Sequence, residues 1–139
     1  MNAPTVRRQR GVSLIESLIS LAILSFGILG LARFQIGMLK QTTDSQNRIE
    51  AATLSQELLS YVRIDAANAA CYTVPQSGAC GSDVAKALAA AWAAEAAGKG
   101  FTTAVASMPT ATQFKTSLTW NSQAFHATRT LEATTDARL

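Results

Sequence analysis

The strongest constraint on this chain is an apolar run close to its N-terminus. Residues 12–32 form a stretch of 21 residues that contains a single charged side chain, Glu16. An α-helix of that length is about 31 Å long, close to the ~30 Å hydrocarbon core of a bilayer. The run therefore predicts a helix that enters a membrane, at least when the chain is first made.

The charge pattern indicates how this run enters the membrane. Arg7, Arg8 and Arg10 lie in the first eleven residues, which hold no acidic residue, whereas residues 12–139 carry nine basic and nine acidic residues. Basic residues that flank an apolar segment stay in the cytoplasm. We therefore expect a cytoplasmic N-terminus. The net charge of +3 belongs to these first residues, and it does not indicate a nucleic-acid-binding face, which would need Lys and Arg clustered in the folded part.

A secretory signal peptide or a plain anchor helix would account for less of the sequence. A signal peptide could be cleaved after the small-x-small sequence Gly30-Leu31-Ala32, but the apolar core of such a peptide usually spans about 7–15 residues. A plain anchor helix does not require a charged residue such as Glu16 inside its apolar segment. A charged side chain inside an apolar segment costs about 2.5–3.5 kcal/mol on insertion and indicates a functional role.

The residues around Glu16 resemble a known processing signal. The sequence Arg10-Gly11-Val12-Ser13-Leu14-Ile15-Glu16, followed by an apolar helix, resembles the class III signal of type IV pilins and pseudopilins. The resemblance implies that a prepilin peptidase cleaves between Gly11 and Val12 and methylates the new N-terminus at Val12. It also implies an assembly role for Glu16, whose carboxylate can reach its own N-terminal amine or that of a neighbouring subunit, and the resemblance favours the neighbour. A role in peptidase recognition alone is the alternative. The first mature residue of that family is usually Phe, and here it is Val12.

Two further stretches, residues 27–35 and 51–63, resemble PilV-type minor pilins, the type IV pilus modification group. This resemblance implies a minor pilin, a structural and assembly subunit for pilus biogenesis, priming or modification that assembles from the inner membrane by helix–helix packing. Its expected partners are the prepilin peptidase, other minor and major pilins, and the inner membrane. The expected location is single-pass in the inner membrane with a periplasmic C-terminus, and after assembly in the pilus. Neither a cofactor, a nucleic acid nor a small-molecule substrate is expected.

Two alternative functions remain open at this point. A minor pseudopilin of a type II secretion system has the same N-terminal signal. A pilin-like module for adhesion or DNA uptake is the second alternative, although a DNA-binding pilin should have a basic head and residues 12–139 are neutral.

The expected fold is α+β and type IV pilin-like, with a long N-terminal helix packed against a small antiparallel sheet. Its predicted parts are a leader at 1–11, the membrane-spanning and assembly half of the helix at 12–32, and a periplasmic head at 33–139. Residues 33–66 contain no proline, and their apolar side chains recur every three or four residues, which predicts an amphipathic continuation of the helix. The predicted stripe consists of Phe34, Met38, Ile49, Leu54, Leu58, Tyr61, Val62 and Asp65. Two helices with a bend near Gly37 are the alternative.

Cys71 and Cys80 are the only cysteines. Because the external side of the membrane is oxidising, an even count of two predicts one disulfide, which closes a loop at 71–80. A metal site would need more ligands, and the single histidine, His126, is distant in sequence.

A short helix is predicted at 83–97. Ser82 is a good N-cap, nine of residues 84–97 are alanine, and Gly98 can end the helix. Val84, Leu88 and Trp92 recur every four residues and are expected to pack on the long helix.

A small sheet is predicted at 101–131. Phe114, Thr116, Leu118 and Trp120 alternate with polar residues, the period of a half-buried strand. A turn at 121–123 and a strand at 124–131 should follow, with Phe125, Ala127 and Leu131 on one face and the charged Arg129 among them. A weaker strand at 101–107 is expected to end at Pro109, and the last eight residues are expected to be frayed.

The sequence contains no recognisable catalytic set. His126 lies in no motif, and there is no glycine-rich phosphate loop, H-x-x-x-H or C-x-x-C. We therefore do not expect an enzyme, and no catalytic, cofactor-binding or metal-binding residue is predicted.

Overall fold

A computed structural model describes residues 12–137 of the chain. Its elements follow in the order α1 (Val12–Ile64), a 3-10 segment (Ala66–Tyr72), α2 (Asp83–Gly98), β1 (Thr103–Thr110), β2 (Gln113–Ser122) and β3 (Ala127–Asp136). The chain divides into two compact units, Met1–Leu39 and Lys40–Leu139. The expected α+β architecture, a long N-terminal helix with a small antiparallel sheet, is confirmed.

Helix α1 runs without interruption through Gly37. A continuous helix is favoured here because the segment contains no proline. In the second unit its buried stripe consists of Ala51, Leu54, Ser55, Leu58, Leu59 and Val62. The predicted stripe is wrong before Ala51, because Phe34, Met38 and Ile49 are 65%, 56% and 66% exposed. Helical periodicity shows which residues share a face, but burial also needs a second layer packed on that face.

Helix α2 confirms the predicted short helix and its cap, since the Ser82 side chain accepts a hydrogen bond from the backbone N–H of Ala85. The predicted packing stripe is partly wrong. Val84 is 72% exposed, and the buried residues are Ala85, Ala89, Trp92 and Ala96. At 3.6 residues per turn, steps of four rotate by about 40° each, so Val84 lies about 80° from Trp92. The smaller alanines lie closer to the direction of Trp92.

Trp92 connects α2 to the long helix. Its Nε1–H donates a hydrogen bond to the backbone carbonyl of Leu54 at 2.8 Å, and its ring is buried. Burial of the indole among the core residues stabilises the packing of α2. The alanine content of α2 alone would not fix its position against the long helix.

The sheet is an antiparallel meander in the order β1-β2-β3, with β2 in the centre. The predicted alternation on β2 is confirmed: Phe114, Thr116, Leu118 and Trp120 are buried, and the residues between them are partly exposed. The predicted end of β1 at Pro109 is wrong, because the strand continues to Thr110 with a register shift between Ser107 and Thr110. Pro is tolerated there because bulges and edge strands do not require its missing N–H.

Strand β3 differs most from the prediction, since it runs over Ala127–Asp136 and not over 124–131. The turn occupies residues 123–126 because Ser122 still pairs with Ala127. Phe125 therefore lies in the turn and is 53% exposed. The expected fraying is also wrong as far as residue 137: Arg63 Nε donates to Thr135 Oγ1 at 2.6 Å, and Ala137 N–H donates to the Thr112 carbonyl at 2.8 Å. Residues 138–139 lie outside the described part.

Candidate functional site

The surface of the N-terminal part of α1 is apolar on every side. All residues from 14 to 39 are exposed, and each large apolar side chain among them is at least 54% exposed. Within the described residues this is the one helix that is long and apolar enough to cross a membrane, as judged from length and composition. In water, such a surface would be unfavourable by about 1.5–3 kcal/mol for each large side chain. The segment therefore requires lipid or other helices around it.

Glu16 is the single charged residue between positions 12 and 32 of α1. It lies on α1 one helical turn after Val12, where the helix begins, and it is exposed. Among the described residues 12–137 it forms no salt bridge. Gly11 and the rest of the expected leader lie outside the described residues, so the cleavage position stays a prediction.

Gly27 and Gly30 provide the smallest side chains on this surface. A Cβ at either residue would meet no atom within 4 Å among the described residues, apart from the neighbouring backbone of the helix. Small residues at such spacing allow close approach of another helix in a membrane.

The cysteines form the expected disulfide between Cys71 and Cys80, with 5.0 Å between their Cα atoms. The bridge spans the loop between the 3-10 segment and α2. Inside the loop, Thr73 Oγ1 donates to the Ala70 carbonyl and accepts from the N–H of Ser77 at 2.9 Å. The cysteines are therefore structural here, because both sulfurs are used in the bond.

The described residues contain no group of three or more His, Cys, Asp or Glu side chains that could hold a metal ion. His126 lies in the turn between β2 and β3, with a positive φ of 48°, and is exposed. The strand expected at 124–131 would have included His126, and the later start of β3 accounts for the difference.

A cleft on the second unit was not predicted from the sequence. About 590 Å³ in volume, it lies between residues 41–48 of α1 and the start of β3, and its walls include Asp44, Arg48, Trp120, Phe125 and Arg129. The Arg129 guanidinium stacks on the Phe125 ring, 4.1 Å from its centroid. The one sequence signal was Arg129, a charged residue among the apolar residues of a predicted strand face.

Asp44 holds one wall of this cleft together. Trp120 Nε1–H donates to its Oδ1 at 3.0 Å. Hydrogen bonds from the side chains of Ser122 and Trp120 hold the pKa of Asp44 below its ordinary value, and the positive charges of Arg129 and Arg48 lower it further. The carboxylate is therefore ionised at neutral pH and joins α1 to the end of β2.

The similarity of this chain to known proteins lies in its N-terminal segment. The family model described as the prokaryotic N-terminal methylation motif matches residues 6–32. No curated protein and no solved structure matches the chain significantly. The matched family is a structural, pilin-type motif and not an enzymatic one. Its residues include Gly11, Val12 and Glu16, and they extend over the exposed apolar part of α1. In its N-terminal segment the chain is therefore type IV pilin-like, with a prepilin class III signal and a helix suited to membrane anchoring and pilus incorporation.

Proposed function

We propose that this chain is a minor pilin, a structural subunit that takes part in the biogenesis, priming or modification of a type IV pilus. The observation that carries the proposal is the methylation motif at residues 6–32, which continues into a helix whose apolar side chains are exposed on every side. The stretches at 27–35 and 51–63 that resemble PilV-type minor pilins support the minor role. Such a subunit is first anchored in the inner membrane, where lipid surrounds its apolar helix. On assembly, the helices of neighbouring subunits replace that lipid.

The motif also supports a processing step. In this proposal the prepilin peptidase removes residues 1–11 by cleavage between Gly11 and Val12 and methylates the amine of Val12. The apolar helix stays in the mature protein, in contrast to a secretory signal peptide, which is lost. Residues 12–32 then form the membrane and assembly half of the helix, and residues 33–139 form the head.

The orientation follows from charge and redox chemistry. Arg7, Arg8 and Arg10 keep the leader in the cytoplasm, where the peptidase acts. The head then lies in the periplasm, and the Cys71–Cys80 bond is of the kind that persists in that oxidising compartment.

In a fibre, the exposed apolar side chains of α1 would pack against those of neighbouring subunits. Gly27 and Gly30 would allow close helix contact. A minor pseudopilin of a type II secretion system is the alternative that shares the motif, and the PilV-like stretches favour the pilus. An adhesion or DNA-uptake module is less well supported, because residues 12–139 carry equal numbers of basic and acidic residues.

The processing step is tested first, by N-terminal sequencing and intact mass of the protein purified from membranes. We expect a chain that starts at Val12 and carries one added methyl group. In a strain without the prepilin peptidase, the leader should remain attached. A mature chain that starts at Arg33 would identify an ordinary signal peptide and contradict the proposal.

The choice between pilus and secretion system needs a second measurement. Pili sheared from cells should contain the processed subunit, and deletion of its gene should reduce piliation while type II secretion continues. A subunit that is absent from pili, with loss of secretion on deletion, would identify a pseudopilin.

A further inference from the structure

The two edges of the head's sheet differ in how they are protected. At the β1 edge, Val74 pairs with Ala106 through hydrogen bonds of 2.8 and 2.9 Å in both directions. Pro109 has no N–H to donate, and the register shifts between Ser107 and Thr110. Pairing, proline and bulges are the devices by which proteins block a sheet edge. The β1 edge is therefore closed to another strand.

The β3 edge has none of these devices. Its ten residues contain no proline, and their register with β2 is continuous from Gln113–Asp136 to Ser122–Ala127. Within residues 12–137, no strand or bridge pairs with its outer side. An unpaired edge of this length with an unbroken register is a template for strand addition.

The register shows which backbone groups are available on that edge. The Ala137 N–H donates to the Thr112 carbonyl, so this pair is of the hydrogen-bonded kind. Hydrogen-bonded and non-hydrogen-bonded pairs alternate in an antiparallel ladder. The N–H and C=O groups that point away from β2 are therefore those of Thr128, Thr130, Glu132, Thr134 and Asp136.

The cleft lies directly beside this edge. The sheet ends at β3, which leaves Gln41, Ser45 and Arg48 of α1 exposed as the opposite wall. A fourth strand beside β3 would cover this wall. Its side chains that face α1 would enter the cleft at intervals of about 6.6–6.8 Å, every second residue.

The charges in the cleft indicate what such a strand would carry. Neither Arg48 nor Arg129 forms a salt bridge among the described residues. Of the two nearby acids, Glu132 is paired with Lys115 at 2.7 Å, and the Asp44 carboxylate already accepts hydrogen bonds from Trp120 and Ser122. Arg48 and Arg129 both act electrostatically on the single carboxylate of Asp44, so the cleft keeps one positive charge in excess. The complementary group is a further carboxylate, which arginine binds well.

We propose that the β3 edge and the adjoining cleft bind an extended segment of another pilus subunit, which adds as a fourth strand and places an Asp or Glu side chain near Arg48 and Arg129. This inference rests on the proposed function. The backbone of β3 would supply affinity through main-chain hydrogen bonds, and the two arginines would supply specificity for an acidic residue.

The test uses photocrosslinking of the full chain in piliated cells. A photoreactive benzoylphenylalanine replaces Thr128 on the edge, and a control chain carries it at Val84, which is exposed on α2. We expect a crosslink from position 128, but not from position 84, to another pilin. Mass spectrometry should locate it in an extended peptide of that pilin that contains Asp or Glu.

Two variants then test the edge and the cleft separately. Thr130→Pro removes an N–H that points away from β2, and Arg48→Glu reverses one charge on the exposed helix surface. Each should reduce the crosslink about tenfold, as expected for the loss of an interaction of about 1.4 kcal/mol. Arg48→Lys keeps the charge and should retain most of the crosslink. An oxidised Cys71–Cys80 bond and unchanged thermal unfolding serve as controls for folding.

Wild-type crosslinking in both variants would overturn the proposal. So would a crosslink that reaches only a second copy of this chain, or a peptide without an acidic residue. If the wild-type chain enters pili but its edge forms no crosslink, the docking inference fails alone. If the chain never enters pili, the proposed function fails as well.

Discussion

Asp44 shows how a single polar residue can align two elements that are distant in sequence. Its carboxylate binds Trp120, 76 residues away along the chain, and also Ser122. Both partners are buried, at 4% and 3% exposure. Asp44 and Trp120 both line the cleft, so loss of the carboxylate removes the net contribution of a hydrogen bond, about 0.5–1.5 kcal/mol. Asp44 thus determines where the end of β2 meets the long helix.

Asp44→Ala should therefore lower the free energy of unfolding by about 0.5–1.5 kcal/mol. Asp44→Asn keeps an acceptor oxygen and should lose less. Urea unfolding of the full chain in detergent micelles at neutral pH would measure both. Equal stability of the alanine variant and the wild type would show that these hydrogen bonds contribute nothing.

The same residue predicts a pH dependence. Because the pKa of Asp44 is lowered in the folded state from its ordinary 3.8, the unfolded chain binds the proton more readily. The stabilisation is then complete above pH ~4 and is lost as the pH falls through the folded-state pKa. The stability difference between wild type and Asp44→Asn should accordingly narrow in acid.

At the scale of elements, the loop between α1 and α2 is held by the disulfide and by local hydrogen bonds. Cys71 is buried in the core at 2% exposure, beside Tyr72. Burial raises the pKa of the Tyr72 hydroxyl, and the charge of Asp65 beside it raises it further. This loop leads directly to the Ser82 cap of α2, so its order affects where α2 begins.

Replacement of both cysteines, Cys71→Ala with Cys80→Ala, should lower the free energy of unfolding by about 2–3 kcal/mol, the chain-entropy value for so short a loop. Thermal unfolding with and without reductant measures the effect, and only the wild type should respond to the reductant. Cleavage by the peptidase should be unchanged, because it depends on the N-terminal residues. Free thiols in protein taken from the cell envelope under non-reducing, denaturing conditions would contradict the prediction.

At the scale of the whole molecule, packing of the exposed apolar helix into a fibre would bury the charge of Glu16. Inside a fibre of packed apolar helices, the carboxylate of Glu16 and the new amine of Val12 would both lie in a medium of low dielectric constant. An unpaired charge there is strongly unfavourable, whereas a close opposite charge offsets much of that cost. In a fibre, pairing between neighbouring subunits would also set their axial register.

Glu16→Leu should keep membrane insertion and cleavage and reduce the amount of this subunit in sheared pili about tenfold, a change of about 1.4 kcal/mol. Glu16→Gln, which removes the charge but retains a polar side chain of similar size, should behave in the same way. Glu50→Gln, on the exposed surface of α1 in the head, is the matched control and should enter pili normally. If the Glu16→Leu variant enters pili at the wild-type level, the assembly role of Glu16 is contradicted. Glu16 would then act in peptidase recognition alone.

Local patterns in the sequence predict much of this molecule. The apolar run, the length of α1, the Ser82 cap and the alternation on β2 all depend on residues within a few positions of one another. Backbone hydrogen bonding and side-chain direction repeat over short distances, so these features can be deduced without a partner element. The methylation motif is local in the same sense, and it was predictable for that reason.

Contacts between distant residues decide the remaining features. The end of β3 depends on Arg63, which binds Thr135 across 72 residues, and the cleft depends on Asp44 and Trp120. The packing face of α2 depends on the carbonyl of Leu54, 38 residues before Trp92. No pattern within a single element contains these pairings. Burial and hydrogen bonding between elements form only when the chain is folded, so the tertiary structure alone shows which faces are covered and which edge stays open.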